Sequence, residues 1–290
     1  MLRIRKMGKL LFFVGIPMIP LLVFWFIPMF VSFWISFTNW DYISPSFDYV
    51  GPENYVTALT NDEFYHALKN TLVFMIFTVA PTLIIGLFLA FLLREGLKGL
   101  TWFRAFLFAP WITPMVAMSI VWSWIYEPDI GLLNQILAMF HLPQPSWLTD
   151  SSTAMWAIII VTVWKNAGWA MLFYSDALSK ISPELFEVSD LEGASSIQKI
   201  RSIILPLVSP TTLFLAIISA IDAIQAYDQI SVMTQGGPSG STRTLLYLYY
   251  QMAFEQFNMG QATALATIIV LFTSVLALLM FYLSKKWVHY

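Results

Sequence analysis

Six stretches of this 290-residue chain are each long and apolar enough to cross a bilayer, and that pattern confines it to a bundle of membrane helices. A hydrocarbon core about 30 Å thick is spanned by about 20 residues of helix. Runs that meet this length lie at Leu10 to Phe37, Asn70 to Leu93, Phe103 to Ile125, Met155 to Leu178, Leu205 to Gln225 and Ala262 to Leu283. Backbone groups in lipid find no water, so each run must satisfy its own hydrogen bonds as a helix. Composition agrees, with 58% hydrophobic residues against 11% charged. The first run follows Arg3, Arg5, Lys6 and Lys9 as a signal peptide would, but it is too long and no small-residue cleavage site follows, so it is expected to stay in the mature chain. Pro17, Pro20 and Pro28 predict kinks or a broken helix within it, because each removes a backbone donor.

Lys and Arg are enriched in short cytoplasmic segments, which orients the bundle. Twelve of the fifteen fall on one side: Arg3, Arg5, Lys6 and Lys9; Arg94, Lys98 and Arg104; Lys180, Lys199 and Arg201; Lys285 and Lys286. Opposite them are only Lys69 and Arg243, and the loop from Tyr126 to Ala154 carries Glu127, Asp129 and Asp150 with no basic residue. Both termini are therefore expected in the cytoplasm. Trp40, Tyr42, Trp102, Trp122, Trp124, Tyr126, Tyr282, Trp287 and Tyr290 near the span ends read as an interfacial aromatic belt. A net charge of −2 without a basic patch gives no footing for nucleic acid. The chain has no cysteine, and His66, His141 and His289 are too scattered to be read as metal ligands.

Between the fourth and fifth runs, the segment from Ser182 to Pro206 has a legible local design. Ser182, Pro183 and Glu184 form a helix start: a side-chain cap, a proline at the first helical position and an acid near the positive end of the dipole. Gly193 permits a backbone conformation that ends this helix, and a second begins from about Ala194, with Ile197, Ile200 and Ile204 at helical spacing. Pro206 marks the start of the fifth span. Two short amphipathic helices joined at a glycine would fit a groove in another protein or lie flat on the membrane surface, and the pattern alone leaves both open.

The same segment resembles the cytoplasmic signature loop of binding-protein-dependent ABC importer permeases. That signature has three residues between Glu-Ala-Ala and Gly, and nine more between that Gly and Ile-x-Leu-Pro. Here Glu187, Val188 and Ser189, then Gly193, then Ile203, Leu205 and Pro206 hold both spacings. Ser36 to Trp40, Val50 to Tyr55, Phe64 through Thr71, Gly131 to Asn134 and Thr234 to Pro238 resemble the carbohydrate branch of the family, so the resemblance runs from about Leu10 to the C-terminus.

The resemblance implies an all-α integral membrane protein with the type I ABC importer permease fold. It divides the chain into an N-terminal part (1–66), a transmembrane domain (67–283) and a short tail (284–290). It implies the maltose/oligosaccharide type of permease, in the cytoplasmic membrane of a bacterium or archaeon. Its partners would be a second homologous permease, two ATPase subunits and an extracytoplasmic solute-binding protein. Glu187 would then anchor a coupling helix on the ATPase, Gly193 would allow the bend, and Phe186 and Ala194 would supply apolar packing. No Gly-x-x-x-x-Gly-Lys-[Ser/Thr] phosphate loop occurs, so ATP would be bound by the partners, with no cofactor and no catalytic site here.

Ionisable residues within a bilayer cost about 3 kcal/mol on insertion scales and usually face water or a partner. Lys165 and Asp222 fall within spans, whereas Asp176 lies so near the end of its span that a solvated position is expected. Thr162, Lys165, Asn166 and Trp169 share one helical face, and Ser219, Asp222, Ala223 and Ala226 share another. Polar groups beside a flat ring suit a sugar, and by the resemblance these eight positions match those lining the substrate cavity of a disaccharide importer. Lys165 also leaves room for an acidic sugar. The competing expectation is that Lys165 and Asp222 pair with each other, or with the partner permease, as a structural bridge. The Tyr227 to Gln261 loop, with its Gly236–Gly240 cluster, reads as a flexible turn region, either a docking surface or an ordinary loop. Rival functions are a permease for glycerol phosphate or another polyol, an ion-coupled secondary transporter and a membrane enzyme. The last lacks any nucleophile–base pair or metal-ligand spacing.

Overall fold

The computed structural model describes residues 11–93, 99–285 and 288. Arg3, Arg5, Lys6, Lys9, Arg94, Lys98 and Lys286 from the orientation count, the start of the first run at Leu10, and Trp287, His289 and Tyr290 lie outside them. The described residues are overwhelmingly helical, with a bridge between Thr38 and Tyr49 as the one strand-like pairing among them. The chain divides into two compact units, residues 1–64 with 249–270 and residues 65–248 with 271–290.

In the first unit the Phe12–Ile35 helix has no side chain buried by the rest of the chain. Of the kinks or break expected at its prolines, a break does not occur, and local distortion takes its place. Wide π-helical turns at Leu11–Gly15 and Leu22–Phe26 run just ahead of Pro17 and Pro28, and the second closes with the Ile27 amide donating to the Leu22 carbonyl. A wider turn gives the proline ring room where it would meet the carbonyl four residues back. The loop after this helix is pinned by Asn54, whose Nδ2 donates to the carbonyls of Ser36 (2.9 Å) and Thr38 (2.8 Å). At Gly260 a Cβ would lie 2.1 Å from the Thr38 oxygen, so only glycine allows that approach.

In the second unit Ala154–Ser179 is the most enclosed span, and its small residues set how closely its neighbours pack. A Cβ on Gly168 would lie 1.9 Å from the Leu107 carbonyl oxygen, and one on Gly86 would lie 2.6 Å from Ala170 Cβ. The stretch Phe103 to Ile125 is not one rod. It consists of Leu100–Ile112 and Met115–Ile125, bent by 98° at Thr113–Pro114. Pro114 holds Thr113 in the extended region (ψ 134°), which a helix cannot continue through.

Two other expectations change. Trp102, Trp124, Tyr282 and Tyr42 are exposed as a belt requires, but Tyr126 is buried, donates to the Ala157 carbonyl (3.2 Å) and packs on Trp122 and Trp147. The segment read as a flexible outer loop contains helices Asp228–Met233 and Leu245–Tyr250 and a wide turn at Gln251–Glu255. Its glycine cluster is held in place: Asn70 Nδ2 donates to the carbonyls of Gly240 (2.9 Å) and Arg243 (3.0 Å), and Thr242 Oγ1 donates to that of Gly237 (2.8 Å).

Candidate substrate cavity and coupling bend

The 98° bend leaves the last carbonyls of Leu100–Ile112 without helical donors, and a helix end inside a bilayer cannot leave them so. Lys165 answers this need. Gly168 lets the Ala154–Ser179 helix come against Leu107, which carries Lys165, one turn earlier, to the bend. Its Nζ donates to the carbonyls of Pro110 (3.0 Å), Trp111 (2.9 Å) and Thr113 (2.8 Å), and Thr113 Oγ1 donates to Ala109 (3.3 Å). An ammonium has three protons, and each has an acceptor here. Asp222 is not its partner, since the ion pairs among the described residues are Lys180–Asp176 and Lys199–Asp190. The expected Lys165–Asp222 bridge is therefore absent among these residues. Asp176 is exposed and pairs at 2.6 Å with Lys180, a solvated position.

Six of the eight pathway residues line one cavity of about 320 Å³: Thr162, Lys165, Asn166, Ser219, Asp222 and Ala223. Trp169 and Ala226 do not. Trp169 stacks on Trp111 (6.2 Å between centroids, 11° between planes) and packs against a buried apolar cluster. Ala226 is buried, and its carbonyl accepts from Thr244. Eight other residues complete the lining without having been read from the sequence, among them the polar or aromatic Thr82, Trp111, Asp228 and Gln229. Trp111 is the aromatic residue of the lining besides Phe74, its ring stacked with Phe108 and Trp169; its signal was the neighbouring Pro110, a mark of a helix about to end. A larger hollow of about 740 Å³ between other faces of the same helices is lined almost wholly by apolar side chains and offers a polar solute very little.

The second site is the bend between spans. Ser182 stands at the helix start, followed by Pro183 and Glu184, but its side chain makes no capping hydrogen bond. Pro183–Leu191 ends with Gly193 at φ +75°, the Gly193 amide donating to Asp190 (3.1 Å) and the Ala194 amide to Ser189 (2.9 Å). That is the Schellman arrangement, which needs a left-handed residue at this position. No atom lies within 4 Å of where a Gly193 Cβ would be, so conformation rather than space demands glycine. The following helix starts from a capping box in which Ser195 and Gln198 satisfy each other's backbone amides.

It is not a separate short helix, as the sequence had suggested. It runs unbroken from Ser196 to Ile224, passing Pro206 by way of a wide turn at Ile200–Ile204. Phe186 and Ile203 turn inward and pack against the buried cluster of the bundle. Glu187 is exposed, Ala194 and Pro206 are half-buried, and Leu205 is exposed on the Ser196–Ile224 helix. The apolar groups that the bend leaves uncovered are Leu185, Val188, Leu191 (89% exposed) and Ile197 (77%).

Comparison with known proteins accounts for this architecture. Residues 71–289 match the family described as the binding-protein-dependent transport system inner membrane component, and the chain belongs to that family. It is 33% identical to the trehalose/maltose transport system permease protein MalF of Thermococcus litoralis over 97% of this chain and 94% of that protein. To the sn-glycerol-3-phosphate transport system permease protein UgpA of Yersinia pestis it is 28% identical, over 92% of this chain and 91% of that one. Among solved structures it superposes on a bacterial ABC transporter involved in the import of the acidic polysaccharide alginate, with TM-score 0.84, 22% identity and coverage of 98% of this chain and 99% of that one. The fold is that of a type I ABC importer permease, a multi-pass transport subunit of the plasma membrane.

Proposed function

We propose that this chain is one of two permeases that together enclose the pathway of an ATP-driven carbohydrate importer. A second homologous permease forms the other wall, and an extracytoplasmic solute-binding protein delivers the sugar. Both termini and the 182–206 bend face the cytoplasm, where ATPase subunits bind and hydrolyse ATP. Glu187 and the ridge of Leu185, Val188, Leu191 and Ile197 dock on the ATPase, and Gly193 fixes the angle at which they do so. The reading rests on one observation: four apolar side chains stand uncovered around the bend at Gly193, three on Pro183–Leu191 and Ile197 at the start of the next helix, with the turn between them hydrogen-bonded. Apolar groups on a rigid, projecting element are what a partner's groove requires. In the cavity, hydroxyl-bearing substrate would meet Asn166, Ser219 and Asp222 and stack on Trp111.

The test is to reconstitute the complex in proteoliposomes and measure uptake and ATP hydrolysis together. Gly193→Val, with a β-branched residue forced to positive φ, is expected to lower uptake at least tenfold while ATP hydrolysis by the assembled complex continues. Failure of any ATPase subunit to copurify with the wild-type chain would refute the proposal.

A further inference from the structure

Among the described residues Lys165 is the one cation lining the cavity, and its three donors are all engaged by helix carbonyls. Its charge therefore serves the bent helix, whose negative dipole end it offsets. Two carboxylates line the same space, Asp222 and Asp228, and neither has a hydrogen-bond or ion-pair partner among the described residues. Asp222 lies in the last turn of Ser196–Ile224, where the helix dipole disfavours an anion, so local structure gives no reason for it to be there. A cavity of this volume is about 8 Å across, so any guest sits within a Debye length of both charges.

From this we infer that Asp222 and Asp228 set the charge selectivity of the pathway: this wall takes neutral, hydroxyl-rich solutes and rejects anionic ones such as uronates and sugar or glycerol phosphates. The inference rests on the transport reading above and narrows its substrate class. Ionised carboxylates accept hydrogen bonds from sugar hydroxyls, and Trp111 supplies the apolar face; a carboxylate or phosphate guest would meet like charge with no free cation to answer it. The acidic sugar that Lys165 seemed to permit in the sequence is excluded by where its ammonium points.

The chain has no cysteine, which makes a direct test available. Ser219→Cys places a single thiol of this chain on the cavity wall of the assembled importer, with Asn166→Cys as a second reporter should the first fail to assemble. Its rate of modification by a cationic methanethiosulfonate is compared with that by an anionic one, each normalised to a free thiol. The normalised ratio is expected to favour the cation by about tenfold and to fall towards one when Asp222→Asn and Asp228→Asn are added. A ratio at or below one, or ATP-driven uptake of a uronate trisaccharide by the wild-type complex, overturns the inference. Neither result touches the transport reading, which fails separately if the same proteoliposomes show no ATP-dependent uptake of any sugar.

Discussion

Replacing Lys165 with Met tests whether this residue holds the bent helix or binds cargo. Methionine keeps much of the stem's packing and removes the ammonium, so three charge-assisted hydrogen bonds to Pro110, Trp111 and Thr113 are lost. Bonds to charged groups contribute about 1.5–3 kcal/mol each, which puts the loss at about 5–9 kcal/mol. Removing a charge from the bilayer interior returns about 3 kcal/mol. The net destabilisation is then about 2–6 kcal/mol, nearer the lower end if water from the cavity reaches the freed carbonyls. The assay is thermal unfolding of the purified complex, alongside sugar uptake by whatever fraction assembles. Lys165→Met is expected to melt well below the wild type, and Lys165→Arg, which retains donors, to fall between them. A Met variant with wild-type melting and a changed uptake affinity alone would refute the reasoning, since the ammonium would then be shown to face substrate.

Two further substitutions probe packing around the site. Gly168→Ala places a methyl 1.9 Å from a backbone oxygen that cannot rotate away, so the two helices must separate; a loss of about 3 kcal/mol or slightly more is expected, read as reduced melting temperature. Asn134→Ala strips the donor shared by the Pro128 and Pro145 carbonyls and the acceptor of Trp147 Nε1, which together hold the 126–153 loop. It should cost about 2 kcal/mol and speed protease cleavage within that loop, and an unchanged digestion pattern would contradict this role.

The spans were legible because a bilayer leaves little choice, and the bend at Gly193 because capping chemistry is local: proline at a first turn and glycine at a left-handed position act within a few residues. What sequence could not tell was which proline would break a helix. Pro17, Pro20 and Pro28 pointed to kinks or a break in the first span, and there the helix continues, with wide turns ahead of Pro17 and Pro28. Pro114 lies inside a run that reads as one span, Phe103 to Ile125, yet the chain turns sharply there. The difference is tertiary: a break survives where some other group can satisfy the orphaned carbonyls, and Lys165 stands 55 positions along the chain from Pro110. The same nonlocality hid the lysine's purpose. Its helical face was readable, but the partner that claimed its protons was not. Trp169 and Ala226 shared the correct faces, and packing against Trp111 and the buried core drew them away from the cavity.

The unbroken course of Ser196–Ile224 has a mechanical consequence. At about 1.5 Å per residue, roughly 39 Å of continuous rod separates Ser196 at the bend from Asp222 at the cavity. The helix has no break along it, so a tilt of a few degrees at one end swings the other by an ångström or more. On the transport function proposed above, the bend and the cavity wall would be two ends of one lever, and the stiffness of its wide turn at Ile200–Ile204 would set how much of each stroke arrives.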